Sequence, residues 1–299
     1  MGSHAVYWGE NGRDLISFVV NYIDSPTLQS SDDTPPTTAR HLSPVVLDDP
    51  TLNQLDFHSS CPSSSIPTER QYRNRIIVGI GHSVGASALA FASSSLSSLF
   101  SSVIFVDPVI VPSNSDPAVT EGSTFLARGA ITRTDNWASR EEAARGFLKK
   151  GFFMSWDERV FDSYMRFGLK DREDGRVGLT MDKIDEAVSP SFLLRRRTRL
   201  IPVSQRVFAD PAMVGAKRAF VRLSKIPTSL PAHFIFADVN KSVLNEVSIK
   251  KVLAQLPHAT SARIEGVGHL IPQDAPGKMA ERLREYLVRL YPNKGKSKL

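Results

Sequence analysis

The chain has 299 residues, 41% hydrophobic and 23% charged, with 37 Lys and Arg against 31 Asp and Glu for a net charge of +6. At roughly 150 residues per domain this is the size of two domains or one large α/β domain, with enough apolar residues for a sizeable core. The single cysteine, Cys61, excludes an internal disulfide and a cysteine-rich zinc site and fits a reducing compartment, and +6 is too mild to argue for a nucleic-acid partner.

Residues 1–12 lack the basic and apolar regions of a secretory signal. From 10 to 23, Leu15, Ile16, Val19, Val20 and Ile23 recur at helical spacing and predict an amphipathic helix. In residues 25–70, 22 of 46 positions are Ser, Thr or Pro without a sustained period, which predicts a surface insertion or disordered loop. The longest uncharged run, 31 residues from 76 to 106, is long enough for a membrane span. Its nine serines and three glycines, between two apolar blocks, predict instead a strand over 75–80, a small-residue helix over 84–96 and a strand over 102–106. That is a parallel βαβ unit, and no membrane span is expected.

Residues 113–225 break the rhythm and predict helices around 140–150, 156–167 and 181–188, with aromatics that read as their packing core rather than a ligand cage. Alternation returns with a strand over 232–237, a helix over 245–256, a strand over 261–265 and an amphipathic helix over 275–290. The fold class is therefore α/β: a mostly parallel sheet built from residues 1–112 and 226–299, interrupted by a helical cap over 113–225. The chain ends Ser297-Lys298-Leu299, which matches the receptor-read peroxisomal address. It predicts the peroxisomal matrix as location and an import receptor as partner.

Gly81-His82-Ser83-Val84-Gly85 is a Gly-x-Ser-x-Gly pentapeptide lying between a buried strand and a small-residue helix. In that context a strained strand-to-helix turn exposes the serine oxygen above a helix N-terminus, while the glycines relieve crowding. Ser83 is the candidate nucleophile, and the Val84 N–H the candidate oxyanion donor. A serine nucleophile needs a histidine base oriented by a carboxylate. Among seven histidines, only His269 follows the last predicted strand. His82 is set aside because adjacent residues on such a turn point apart, and His233 reads as core. For the acid, Asp107 at the end of the 102–106 strand is preferred over Asp238 after the 232–237 strand, because the expected acidic position there is Asn240. The basic run Arg195-Arg196-Arg197-Thr198-Arg199 reads as a solvated face, with a landing site for an acidic substrate as the alternative. No metal spacing and no completed dinucleotide fingerprint is present, so neither a metal nor another cofactor is expected.

These residues resemble the α/β-hydrolase fold family, and within it fungal hydrolases of the peroxisomal lipase and toxin-biosynthesis type. The resemblance rests on the segments at Trp8–Leu15, Val78–Gly85, Val106–Ile110, Ser155–Asp157, His233–Ala237 and Gly268–Pro272. It implies serine hydrolysis of a small-molecule acyl ester or thioester, in some members within fungal secondary metabolism. Family members carry strands and a His-Gly oxyanion loop before the helix that begins here near Glu10, whereas about nine residues precede it in this chain. Losing one oxyanion donor typically costs about 10²–10³ in rate, so the rival expectation is a catalytically impaired relative acting as a binding protein.

Overall fold

The computed structural model describes residues 76–112, 129, 132–181 and 214–292. The predicted helix over 10–23, the 25–70 segment, most of the predicted helix over 181–188, the basic run and the C-terminal tripeptide lie outside the described residues.

The uncharged run folds as β1 (Val78–His82), α1 (Val84–Ser95), a short 3-10 turn (Ser97–Leu99) and β2 (Ser102–Val106). Between β2 and the next strand of the same sheet lie β3 (Asn136–Trp137), α2 (Arg140–Leu148), α3 (Gly151–Met154), α4 (Glu158–Phe167), β4 (Leu169–Asp171), β5 (Val177–Leu179) and α5 (Val214–Leu223). The chain continues with β6 (Ala232–Phe236), α6 (Glu246–Gln255), β7 (Thr260–Arg263), α7 (Ile271–Asp274) and α8 (Pro276–Leu290). Among the described residues no helix is long and apolar enough to cross a membrane.

The main sheet has the order β1-β2-β6-β7, every pairing parallel. Both its faces are covered, and that explains why its central strands read as apolar runs rather than alternating patterns. Successive residues of β2 go to opposite sides. Val103 and Phe105 join the cluster beneath α1, α5 and α6, whereas Ile104 and Val106 join the cluster formed with Ile271 and Tyr286. Strand β6 divides likewise, with Phe234 and Phe236 on the first face and Ile235 on the second. Phe105 and Phe234 stack across neighbouring strands at a centroid distance of 4.9 Å.

Helix α1 is short on bulk because it is buried. Ala86, Leu89, Ala90 and Ala92 are at most 1% exposed, and α5 approaches them through Ala216 and Ala219. Thus α5, although within the segment expected to be cap, contributes to the same apolar cluster as the sheet.

The inserted segment contains the expected helices α2 and α4, but also an antiparallel sheet of order β3-β5-β4 that the sequence pattern does not reveal. Strands of two and three residues are too short to carry an alternating period. They are specified by a tight turn at Gly175 (φ 77°) and by burial of Trp137, Leu169, Val177 and Leu179 against Phe147 and Phe153. The ring pair Phe147–Phe153 is 4.7 Å apart, so the aromatics of the inserted segment include the packing core expected of them. Phe152 and Phe167 depart from that expectation, being 48% and 67% exposed.

Candidate active site

Ser83 occupies the junction of β1 and α1 with φ 56° and ψ −123°, a conformation that is costly for a side-chain-bearing residue. The surrounding backbone fixes it there: the Ser83 N–H donates to Val106 O (3.1 Å), and the Val109 N–H donates to Ser83 O (3.2 Å). The close passage of strand and helix requires Gly81. A Cβ there would lie 2.5 Å from Gly85 O and 2.7 Å from Ala86 Cα. Gly85, expected to relieve crowding in the same way, does not: apart from its chain neighbours and the backbone of its own helix, no described atom lies within 4 Å of where its Cβ would be. The Val84 N–H is the first of α1 and has no partner within the helix, because intrahelical acceptors lie four residues back.

Asp107 follows β2 with φ 33° and is fully buried. Four donors converge on its carboxylate: the Ala237 N–H (3.1 Å) and Ser242 hydroxyl (2.6 Å) on Oδ1, the Val243 N–H (3.4 Å) and His269 Nδ1–H (2.7 Å) on Oδ2. Burial pushes its pKa up, but the hydrogen bonds from His269 and Ser242 outweigh this and hold it below the ordinary carboxylate range.

His269 lies between β7 and α7. Its Nε2 is 2.9 Å from Ser83 Oγ, while Nδ1 donates to Asp107. Donation from Nδ1 selects the tautomer in which Nε2 accepts the serine proton. The loop before it turns at Gly266 (φ 76°) and is braced by Asp238. Asp238 Oδ2 accepts from the Gly266 N–H (2.8 Å), and the Asp238 N–H donates to Val267 O (2.9 Å). Lys241 Nζ adds a donation to Gly266 O (3.0 Å). Asp238, the alternative acid, is therefore engaged with the loop backbone, while Asp107 is the carboxylate at the imidazole. Asn240, at the position where an acid was expected, donates its N–H to Asp238 Oδ1 (3.0 Å).

Beyond His269 the inserted segment takes hold. The Asp157 N–H donates to Gln273 O (2.8 Å), and the Ser155 hydroxyl donates to Asp274 Oδ1 (3.0 Å). His82 also enters the site. Its Nε2 donates to the His269 carbonyl (2.8 Å), and the two rings lie 5.0 Å apart. Burial keeps the His82 pKa below the usual value for an imidazole despite that hydrogen bond. His233 sits in the core as the sequence predicts, 3% exposed and stacked on Tyr286 at 4.4 Å. Ser242 is thus a participant that the sequence does not single out, and His82, set aside in the sequence as a neighbour pointing away from Ser83, takes part through the His269 carbonyl instead. The signal for Ser242 is its place in the loop after β6, where the sequence leads one to expect an acid and the structure instead supplies the acid's donor.

The profile of the Alpha/beta hydrolase family matches residues 10–282. The chain belongs to the alpha/beta hydrolase family. Among other members, it is 32% identical over 128 residues to the abhydrolase domain-containing protein AFT2-1 of Alternaria alternata, covering 39% of this chain and 46% of the relative. The match to AKT2 of the same organism is longer, at 29% identity over 225 residues, 71% of this chain and 82% of that protein. The chain spans just under half the length, 46%, of the first of these relatives. A shorter stretch of 102 residues is 28% identical to the type I acyl-CoA thioesterase mpaH of Penicillium roqueforti, covering 34% of this chain and 23% of that one. Among solved alpha/beta hydrolases, the fold is similar to that of the peroxisomal Lpx1 of Saccharomyces cerevisiae. The TM-score is 0.52 at 15% identity, over 74% of this chain and 55% of that chain.

Proposed function

We propose that this chain is a serine hydrolase of acyl esters or thioesters. The observation that carries the reading is the continuous line from Ser83 Oγ to His269 Nε2 (2.9 Å) and from His269 Nδ1 to Asp107 Oδ2 (2.7 Å). A serine hydroxyl is a weak nucleophile until a positioned base removes its proton. In the proposed reaction Ser83 Oγ bonds to the substrate carbonyl carbon as its proton passes to His269 Nε2. Asp107 stabilises the imidazolium, and the Val84 N–H donates to the oxyanion. The imidazolium then protonates the departing alcohol or thiol, leaving an acyl-serine. Water, deprotonated by His269, reverses the sequence and releases the carboxylic acid.

The likeness to a fungal acyl-CoA thioesterase supports keeping thioesters in the substrate class. Two extensions rest on sequence alone. The terminal Ser297-Lys298-Leu299 would address the chain through an import receptor to the peroxisomal matrix. The resemblance to toxin-biosynthesis hydrolases would assign the substrate to fungal secondary metabolism.

Labelling with a fluorophosphonate probe tests the reading directly. The wild-type chain is expected to label, and Ser83→Ala and His269→Ala are expected to lose labelling while remaining folded by circular dichroism. A folded wild type that does not react would overturn the hydrolase reading and favour a non-catalytic relative.

A further inference from the structure

We infer that His82 is a positioning residue that holds the main chain of His269 at the distance the serine needs. This rests on the serine-hydrolase reading of the same site. His82 ends β1, one residue before Ser83, so its backbone is fixed by the parallel pairing of His82 with Val106. From that position its Nε2–H reaches the His269 carbonyl at 2.8 Å, spanning 187 residues of sequence. The strand that presents the nucleophile and the loop that presents the base are therefore joined by one side chain as well as by the Ser83–His269 bond itself.

The other restraints on the loop act on either side of His269. Asp238 and Lys241 hold Gly266 and Val267, and the inserted segment holds Gln273 and Asp274. The His82 bond acts on the His269 main chain itself. Displacement of a reacting group by about 1 Å can cost about 10²-fold in rate. A neutral His82 is suited to this position, because the ring donates one hydrogen bond and places no positive charge 5.0 Å from an imidazole that must itself become cationic during turnover.

Two substitutions separate the donor from the ring. His82→Gln keeps a donor at nearly the reach of Nε2 but removes the aromatic ring, whereas His82→Phe keeps the ring and removes the donor. Both are compared with wild type by fluorophosphonate labelling over a range of probe concentrations and by the low-field proton resonance of the His269 Nδ1–H, identified by its loss in His269→Ala. The Phe variant is expected to lose 10- to 100-fold in the maximal labelling rate at unchanged half-saturation, with a broadened resonance. The Gln variant is expected to stay within a few-fold of wild type with a sharp one. Wild-type behaviour of the Phe variant, or equal loss in both variants, would overturn the role. If even the wild type fails to label, the hydrolase reading falls, but the resonance still decides: one equally sharp in wild type and Phe variant overturns the positioning, and one broadened only in the Phe variant supports it.

Discussion

The carboxylate of Asp107 is fully buried, yet it accepts from two backbone N–H groups, a hydroxyl and an imidazole. Such a group is held ionised by donors rather than by solvent, and its value to His269 depends on the negative charge as well as the geometry. Asp107→Asn keeps the shape, but its amide would present a donor or a weak acceptor to Nδ1 and admit the wrong tautomer. The maximal labelling rate is expected to fall about 10³–10⁴-fold with little change in fold, as read by stopped-time probe labelling. A loss smaller than tenfold would show that Asp107 does not orient the base. Ser83 and His269 were legible in the sequence because each sits in a short local pattern, a Gly-x-Ser-x-Gly and a glycine-flanked loop after the last strand. Ser242 was not, since its partner lies 135 residues away and no local pattern records such a contact. His82 was set aside because neighbouring side chains on the turn diverge, which is silent about a partner 187 residues away.

At the scale of elements, the site is made by joints. The joint between β1 and α1 depends on Gly81, where a Cβ would meet backbone atoms at 2.5 and 2.7 Å that no side-chain rotation can clear. Gly81→Ala must push α1 away from the strand and carry Ser83 with it. It is expected to cost about 1–3 kcal/mol in chemical denaturation and to lower labelling further than that loss explains. Gly85→Ala is the control, since no described atom beyond its own helix and chain neighbours stands near its Cβ and alanine favours a helix by about 1 kcal/mol. It is expected to leave stability unchanged or raised.

The second joint is between the inserted segment and α7, where Ser155 donates to Asp274 and the Asp157 N–H donates to Gln273 O. Ser155→Ala removes an exposed hydrogen bond worth about 1 kcal/mol or less, so the melting temperature is expected to move little. Amide exchange at Gln273 and Asp274 is expected to accelerate, because those amides close the turn that follows His269. Unchanged exchange would separate the two segments mechanically. The βαβ alternation of the main sheet was readable because its two central strands, β2 and β6, are buried along their whole length and so are mostly apolar runs of five residues. The β3-β5-β4 sheet was not, because its two- and three-residue strands depend on tertiary pairing alone.

For the molecule as a whole, burial makes stability depend on pH through His233, remote from Ser83, as well as through groups at the site. His233, on β6, is stacked against Tyr286 of α8, with Nδ1 2.7 Å from Thr260 Oγ1 on β7. Burial, reinforced by the nearby Arg289 charge and only partly offset by the Thr260 contact, lowers its pKa from 6.5 to about 4. A base whose folded pKa is depressed binds its proton more readily in the unfolded chain. Its contribution is therefore complete above pH 6.5, is lost as pH falls from there, and is exhausted near pH 4. A shift of that size corresponds to at most about 3 kcal/mol. His82, also lowered by burial, acts with the same sign below pH 6.5. Asp107 titrates in a different window: with its pKa lowered from 3.8, its contribution is present above that value and is lost as the pH drops below it. Denaturant midpoints measured from pH 7 to pH 3 are expected to fall in two stages. His233→Phe, which preserves an aromatic stack on Tyr286, should flatten the upper stage in part and leave the lower one, while Asp107→Asn should do the reverse. An upper stage unchanged in His233→Phe would mean that the ring is protonated in the folded sheet, contrary to its place between Tyr286 and the core.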